Sequence, residues 1–103
     1  MLADLLYHTT VIAVHGDLNI SVSRLETDSR KVNPGDCFIA IRGVQSDGNK
    51  FIEDAIRRGA VAVVTDAKDV QTPTNVTRVI VQDAARAAGA ARRRLDRLGD
   101  REA

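Results

Sequence analysis

Residues 27–43, TDSRKVNPGDCFIAIRG, carry the strongest fold signals in this chain. Pro34-Gly35 supplies the fixed φ and the positive-φ freedom of a type II turn. The run 37–41 that follows is almost entirely apolar, which is typical of a short strand buried on both faces. Asp-Ser-Arg at 28–30 precedes the turn, and Gln-Ser-Asp-Gly at 45–48 follows the strand. We expect these two polar loops to meet at one side of a sheet, where they would hold a polar small molecule.

Downstream of this strand, the apolar residues adopt a helical period. Phe51, Ile52, Ala55 and Ile56 lie at the spacing of one helix face. Gly59 stands where a C′ glycine ends a helix. Residues 61–64 form a second apolar run. The order strand, helix, strand predicts a right-handed βαβ unit.

The remaining segments extend this unit in both directions. Upstream, we expect one or two helical turns at 2–7, a strand at 11–14 and an extended run at 20–27. Downstream, a loop at 66–75 precedes a strand at 76–81. A helix follows from about residue 83, with its apolar stripe at a/d spacing. This stripe consists of Ala84, Ala88, Ala91, Leu95 and Leu98. The predicted fold class is α/β, with a small mixed sheet flanked by helices.

The composition narrows the possible functions. A length of 103 residues suits one domain with a modest core. The formal net charge of +1 and the 3% aromatic content argue against a nucleic-acid partner. Cys37 is the only cysteine, which indicates a reducing, cytoplasmic location. We expect no signal peptide and no membrane association, because no run approaches the ~20 apolar residues of a membrane helix.

The patterns of common catalytic sites are missing from the sequence. It contains no Gly-x-x-x-x-Gly-Lys-Ser/Thr loop and no Gly-x-Gly-x-x-Gly after a strand. It also lacks a nucleophile elbow and a Cys/His pair. Two histidines are too few for a metal site. We therefore expect no catalytic residues and no metal ligands, and we interpret the chain as a binding domain.

The pattern from Asp28 to Gly43 resembles the N-terminal domain of the Mur ligases, the bacterial enzymes that build the peptide stem of peptidoglycan. The similarity continues through Asp47-Gly48, Phe51-Ile52 and 59–64. Residues 2–6 are more similar to the MurE type, which adds the third amino acid to UDP-N-acetylmuramoyl-L-alanyl-D-glutamate. The MurF type, which adds D-alanyl-D-alanine, shares the Asp-Ser-Arg and Asp-Gly elements and stays an alternative.

The resemblance implies that residues 1–103 form a single domain that binds the UDP moiety of a UDP-N-acetylmuramoyl-peptide. In this family, ATP and Mg2+ are bound elsewhere, so the fragment itself would need no cofactor. Its partner would be the ATP-binding central domain of the parent ligase, and that domain and the C-terminal ligase domain are absent from these residues. A non-enzymatic interaction module that keeps the fold without binding UDP is a further alternative.

The resemblance also implies which residues contact the substrate. Thr27 and Ser29 would approach the uridine and its diphosphate, and Arg30 is a candidate charge partner of the diphosphate. Arg30 could instead anchor its own loop to Asp28 or Asp36. The facing loop around the uracil would consist of Val44, Gln45 and Ser46. Such residues suit the ligand, because uracil needs amide partners and a diphosphate accepts N–H and O–H donors.

Overall fold

A computed structural model describes residues 2, 6, 10–41, 48–67 and 70–102, without the side chains of 48–50 and 94–102. Most of the helical turn expected at 2–7 and all of the loop 42–47 lie outside the described residues. The strands are β1 (Val11–His15), β2 (Leu25–Glu26), β3 (Cys37–Ala40), β4 (Ala62–Thr65) and β5 (Thr77–Val81). The helices whose full ranges lie within the described residues are α1 (Gly48–Arg57) and α2 (Ala84–Glu102), and a 3₁₀ turn spans Ser29–Lys31.

The five strands form one mixed sheet in the order β1-β5-β4-β3-β2. Strands β2 to β5 pair in parallel, and β1 pairs antiparallel to β5. Helix α1 connects the neighbouring parallel strands β3 and β4, as the predicted βαβ unit requires. The expected small mixed sheet with flanking helices is therefore confirmed.

Each face of the sheet carries its own apolar core. The α2-side core consists of Leu2, Leu6, Cys37, Ile39, Ala62, Val64, Val79, Val81, Ala84, Ala87 and Ala88. The α1-side core consists of Val32, Phe38, Ile52, Ala55, Ala60, Val63, Val70 and Val76. Alternate residues of β3 and β4 belong to opposite cores, which explains why both strands are apolar without interruption.

Two glycines hold the βαβ unit in shape. Gly35 has a φ of 91° and Asp36 N–H donates to the Asn33 carbonyl at 3.1 Å, as expected for the predicted type II turn. Gly59 ends α1 with a φ of 103°. Its N–H donates to Ile56 at 3.0 Å, and the next N–H donates to Ala55 at 3.0 Å, which together form a Schellman motif.

Some sequence-based boundaries need correction. The extended run expected at 20–27 contributes only two residues to the sheet, because Ile20 and Val22 pack their side chains onto the α2-side core outside the paired strand. In the predicted stripe of α2, Ala84, Ala88 and Ala91 are buried. The side chains of the two leucines in that stripe lie outside the described residues.

Candidate functional site

The candidate substrate residues begin where β2 ends. Leu25 lies opposite Cys37 and Glu26 opposite Phe38, so β2 and β3 point in the same direction. Strand β3 ends at Ala40, two residues beyond this pairing. The chain therefore leaves both strands toward the same edge of the sheet, at 27–30 after β2 and at 41 after β3. We call this edge the β2–β3 edge.

Arg30 and Asp28 bind each other at the β2–β3 edge. Asp28 caps the 3₁₀ turn by accepting the Arg30 N–H at 3.0 Å. The guanidinium also donates to both carboxylate oxygens, from Nε at 3.1 Å and from Nη2 at 3.0 Å. These hydrogen bonds lower the pKa of Asp28 and raise the pKa of Arg30. Of the two roles considered for Arg30, the structure contains the anchoring contact with Asp28. Because Arg30 is exposed, its guanidinium group is also accessible to a ligand.

The two hydroxyl residues at this edge differ in exposure. Ser29 is only 3% exposed, because the 3₁₀ turn packs against α1. Thr27 is half-buried, and its N–H donates to the Glu26 carboxylate at 3.0 Å. The structure thus brings Thr27, Ser29 and Arg30 together. The other three predicted contacts, 44–46, lie outside the described residues, so their position relative to Ser29 stays a prediction.

The buried carboxylate of Asp36 stabilises the segment that follows the 3₁₀ turn. Asp36 is 1% exposed and accepts hydrogen bonds from Asn33 N–H at 2.9 Å and from Arg24 Nη2 at 3.1 Å. Arg24 also donates to the Lys31 carbonyl at 3.0 Å, which fixes the end of the 3₁₀ turn. Sequence reasoning missed Arg24, because it lies twelve residues before Asp36, a separation that no local turn or helix pattern links.

A second feature that the sequence did not reveal is a cavity beside β1 and β5. Its volume is about 290 Å³. The lining residues are His15, Gly16, Gln71, Thr72, Pro73, Thr74, Val76 and Arg78. We call it the β1–β5 cavity. No local motif marks it, since its walls come from segments more than fifty residues apart.

The described residues contain neither a metal-binding cluster nor a membrane-spanning helix. Within the described ranges, no three His, Cys, Asp or Glu side chains lie close enough together to hold a metal ion. No helix in the part of the chain that the structure describes has the length and apolar character needed to cross a membrane.

Known proteins that are similar to this chain belong to the Mur ligase family. Residues 21–100 match the family model described as "Mur ligase family, catalytic domain". The UDP-N-acetylmuramoyl-L-alanyl-D-glutamate–2,6-diaminopimelate ligase of Cytophaga hutchinsonii is 42% identical over 87 residues, which is 84% of this chain and 18% of the relative. The ligase of the same name from Caldanaerobacter subterraneus is 46% identical over 71 residues, 69% of this chain and 14% of the relative. The chain thus spans less than a fifth of the length of these relatives.

Solved structures show the same fold. MurF from Acinetobacter baumannii superimposes with a TM-score of 0.67 at 21% identity, covering 88% of this chain and 20% of that one. MurF ligase from Thermotoga maritima, solved in complex with ADP, gives a TM-score of 0.59 at 28% identity, covering 80% of this chain and 18% of that one. The fold predicted from the sequence is therefore found in solved Mur ligases.

Proposed function

The chain belongs to the Mur ligase family, and on that premise we propose that it binds the UDP moiety of a UDP-N-acetylmuramoyl-peptide. The contacts would come from Thr27, Ser29 and Arg30 after β2 and from 44–46 after β3. Ser29 and Arg30 belong to the pattern on which the family resemblance rests, and 44–46 lie between its Gly43 and Asp47.

The observation that carries this proposal is the parallel pairing of β2 with β3. It directs the chain at 27–30 and at 41 to one edge of the sheet, where ligands of open parallel sheets commonly bind, and we expect 44–46 to follow at the same edge. Because Ser29 is only 3% exposed, we expect Thr27 and 44–46 to contribute most of the contacts. Arg30, already oriented by Asp28, would meet the diphosphate as a charge-assisted donor.

Catalysis would take place elsewhere in the parent ligase. The matching family model is described as a catalytic domain, yet these 103 residues contain no phosphate-binding loop of the Gly-x-x-x-x-Gly-Lys-Ser/Thr type. We propose that ATP and Mg2+ bind to a central domain in the cytoplasm. This chain would anchor the UDP end of the substrate and thereby position the reacting carboxylate.

The names of the relatives support a proposal for the amino acid that the parent ligase would add. The curated relatives described above are named as 2,6-diaminopimelate ligases and are 42% and 46% identical to this chain. MurF of Thermotoga maritima is only 28% identical. We therefore propose a ligase of the MurE type with diaminopimelate as its amino acid, in preference to the MurF type.

A titration of the 103-residue chain with UDP, followed by amide NMR shifts, tests the binding step. We expect saturable shifts at 27–30 and 44–46 at millimolar UDP, because most substrate contacts would lie in other domains. Ser29→Ala should weaken binding by about threefold to tenfold, the effect of one lost hydrogen bond. Ser21→Ala, at an exposed serine outside this edge, is the matched control.

The absence of saturable shifts at millimolar UDP would contradict the proposal and favour the interaction module. Equal affinities of the wild type and Ser29→Ala would remove Ser29 from the site. Arg30→Gln should weaken UDP more than uridine, because the guanidinium would face only the diphosphate.

A further inference from the structure

We propose that the β1–β5 cavity is a second ligand site, which binds a small oxyanion such as a carboxylate or a phosphate group. It is separate from the β2–β3 edge. Arg78 is the second residue of β5 and His15 is the last residue of the antiparallel strand β1. Both therefore lie at the amino-terminal edge of the parallel strands, opposite to the edge at which the uridine site is proposed.

Strand pairing brings two nitrogen-bearing side chains together in this cavity. His15 lies directly opposite Arg78 in the β1–β5 ladder. Side chains of directly opposed residues project from the same face of a sheet, with their Cβ atoms only about 4.5–5.5 Å apart. The side chains of His15 and Arg78 can therefore donate hydrogen bonds to the same oxyanion, provided that other protein groups do not already accept those hydrogen bonds.

The guanidinium of Arg78 is only partly used by the protein. Its Nη1 donates to the Val70 carbonyl, which fixes the side chain against the α1-side core. Its Nε is buried and has no hydrogen-bond partner among the described residues. A buried donor without a partner is unfavourable, and an oxyanion is the acceptor that arginine binds best. This free donor is the observation that points to an anion.

The rest of the cavity has matching chemistry. None of the lining residues that the structure describes carries a carboxylate, whereas Gln71, Thr72 and Thr74 contribute amide and hydroxyl donors. Pro73 and Val76 form an apolar part of the cavity wall. A volume of about 290 Å³ lies at the lower end of the usual range for ligand pockets. The cavity therefore suits a small anion, or one anionic group of a larger molecule.

The test uses the 103-residue chain, with inorganic phosphate and acetate as separate probes and chloride at equal ionic strength as the reference. We expect saturable amide shifts at His15, Gly16 and 71–78 with at least one of the two probes. The probe that binds more tightly distinguishes a phosphate ligand from a carboxylate ligand.

Arg78→Gln should weaken the tighter probe by about tenfold to a hundredfold, the usual effect of a lost hydrogen bond between charged groups. His15→Gln, at an exposed position, should weaken it about threefold and serves as the second variant if Arg78→Gln does not fold. Arg86→Gln removes an exposed arginine from α2 and should leave the affinity unchanged.

Unsaturable shifts, or the same loss of affinity in Arg86→Gln as in Arg78→Gln, would overturn this site. The result is independent of UDP binding, because the predicted shifts fall on different residues. Saturating UDP should not displace the anion, and displacement would show that the two sites are one.

Discussion

Gly59→Ala tests the Schellman motif that closes the βαβ unit. The glycine adopts a φ of 103°, which residues with a Cβ rarely adopt. Its carbonyl accepts the Gly35 N–H at 2.9 Å and so ties the end of α1 to the type II turn before β3. An added Cβ would lie 2.7 Å from Pro34 Cα, so that the backbone of one of the two segments has to move.

The expected loss of stability has two parts. Forcing alanine into the left-handed region costs about 1–3 kcal/mol. Displacing the turn weakens the hydrogen bond between Gly35 and Gly59, which is worth about 0.5–1.5 kcal/mol. Gly59→Ala should therefore lower the free energy of unfolding by about 2–4 kcal/mol, measured by urea denaturation.

Gly89→Ala provides a matched control in the middle of α2. Its added Cβ would make an ordinary contact, 3.6 Å from the Arg93 guanidinium. Alanine in a helix interior is favoured over glycine by about 0.5–1 kcal/mol, so this variant should be more stable than the wild type. If Gly59→Ala unfolds within about 0.5 kcal/mol of the wild type, the cap does not hold the unit together as argued.

Three further predictions concern charged and titratable side chains. Asp36→Ala should reduce the free energy of unfolding by about 2–4 kcal/mol, because a buried hydrogen-bond acceptor is lost. Asp54→Ala, at an exposed ion pair, should change it by less than about 1 kcal/mol. Equal losses of the two variants in urea denaturation would refute this. Burial raises the pKa of the Cys37 thiol from 9.0 to about 12, so its contribution to stability is complete below about pH 9 and lost as the pH rises toward 12. Cys37→Ala should therefore flatten the alkaline decline in melting temperature, and an unchanged profile would contradict the assignment. Arg30→Gln should return the lowered pKa of Asp28 toward 3.8 in an NMR titration of the carboxyl carbon. In the wild type, this ion pair stabilises the fold above about pH 3.8, and its contribution is lost as the pH falls through the lowered pKa of Asp28. An unchanged pKa of Asp28 in that variant would show that Arg30 is not its partner.

The βαβ unit was predictable because its signals are local. Pro34-Gly35 and Gly59 mark a turn and a helix end through backbone preferences that act within a few residues. The helical spacing of 51–56 and the unbroken apolar runs on either side indicate which faces are buried. The same local pattern carries the resemblance to the Mur ligases, and the family match confirms it.

The candidate substrate site was predictable only in part. The sequence located the two polar loops, and the parallel pairing of β2 with β3 then showed that the chain leaves both strands toward one edge, at 27–30 and at 41. It could not reveal that Ser29 is 3% exposed, because burial depends on how the 3₁₀ turn packs against α1. Nor could it show that Arg24 pairs with Asp36, since this contact depends on the path of the chain between β2 and β3.

The elements of the βαβ unit and their order can be read from the amino-acid sequence, because they depend on residues close together in the chain. That β1 pairs with β5, on the side away from β4, is visible only in the folded protein. The hydroxyl of Thr77 donates to the Asp17 carbonyl at 2.8 Å across a separation of sixty residues, fastening β1 beside β5 and aligning His15 with Arg78. No short-range preference encodes such a pairing, because its free energy comes from contacts that exist only after the intervening chain has folded.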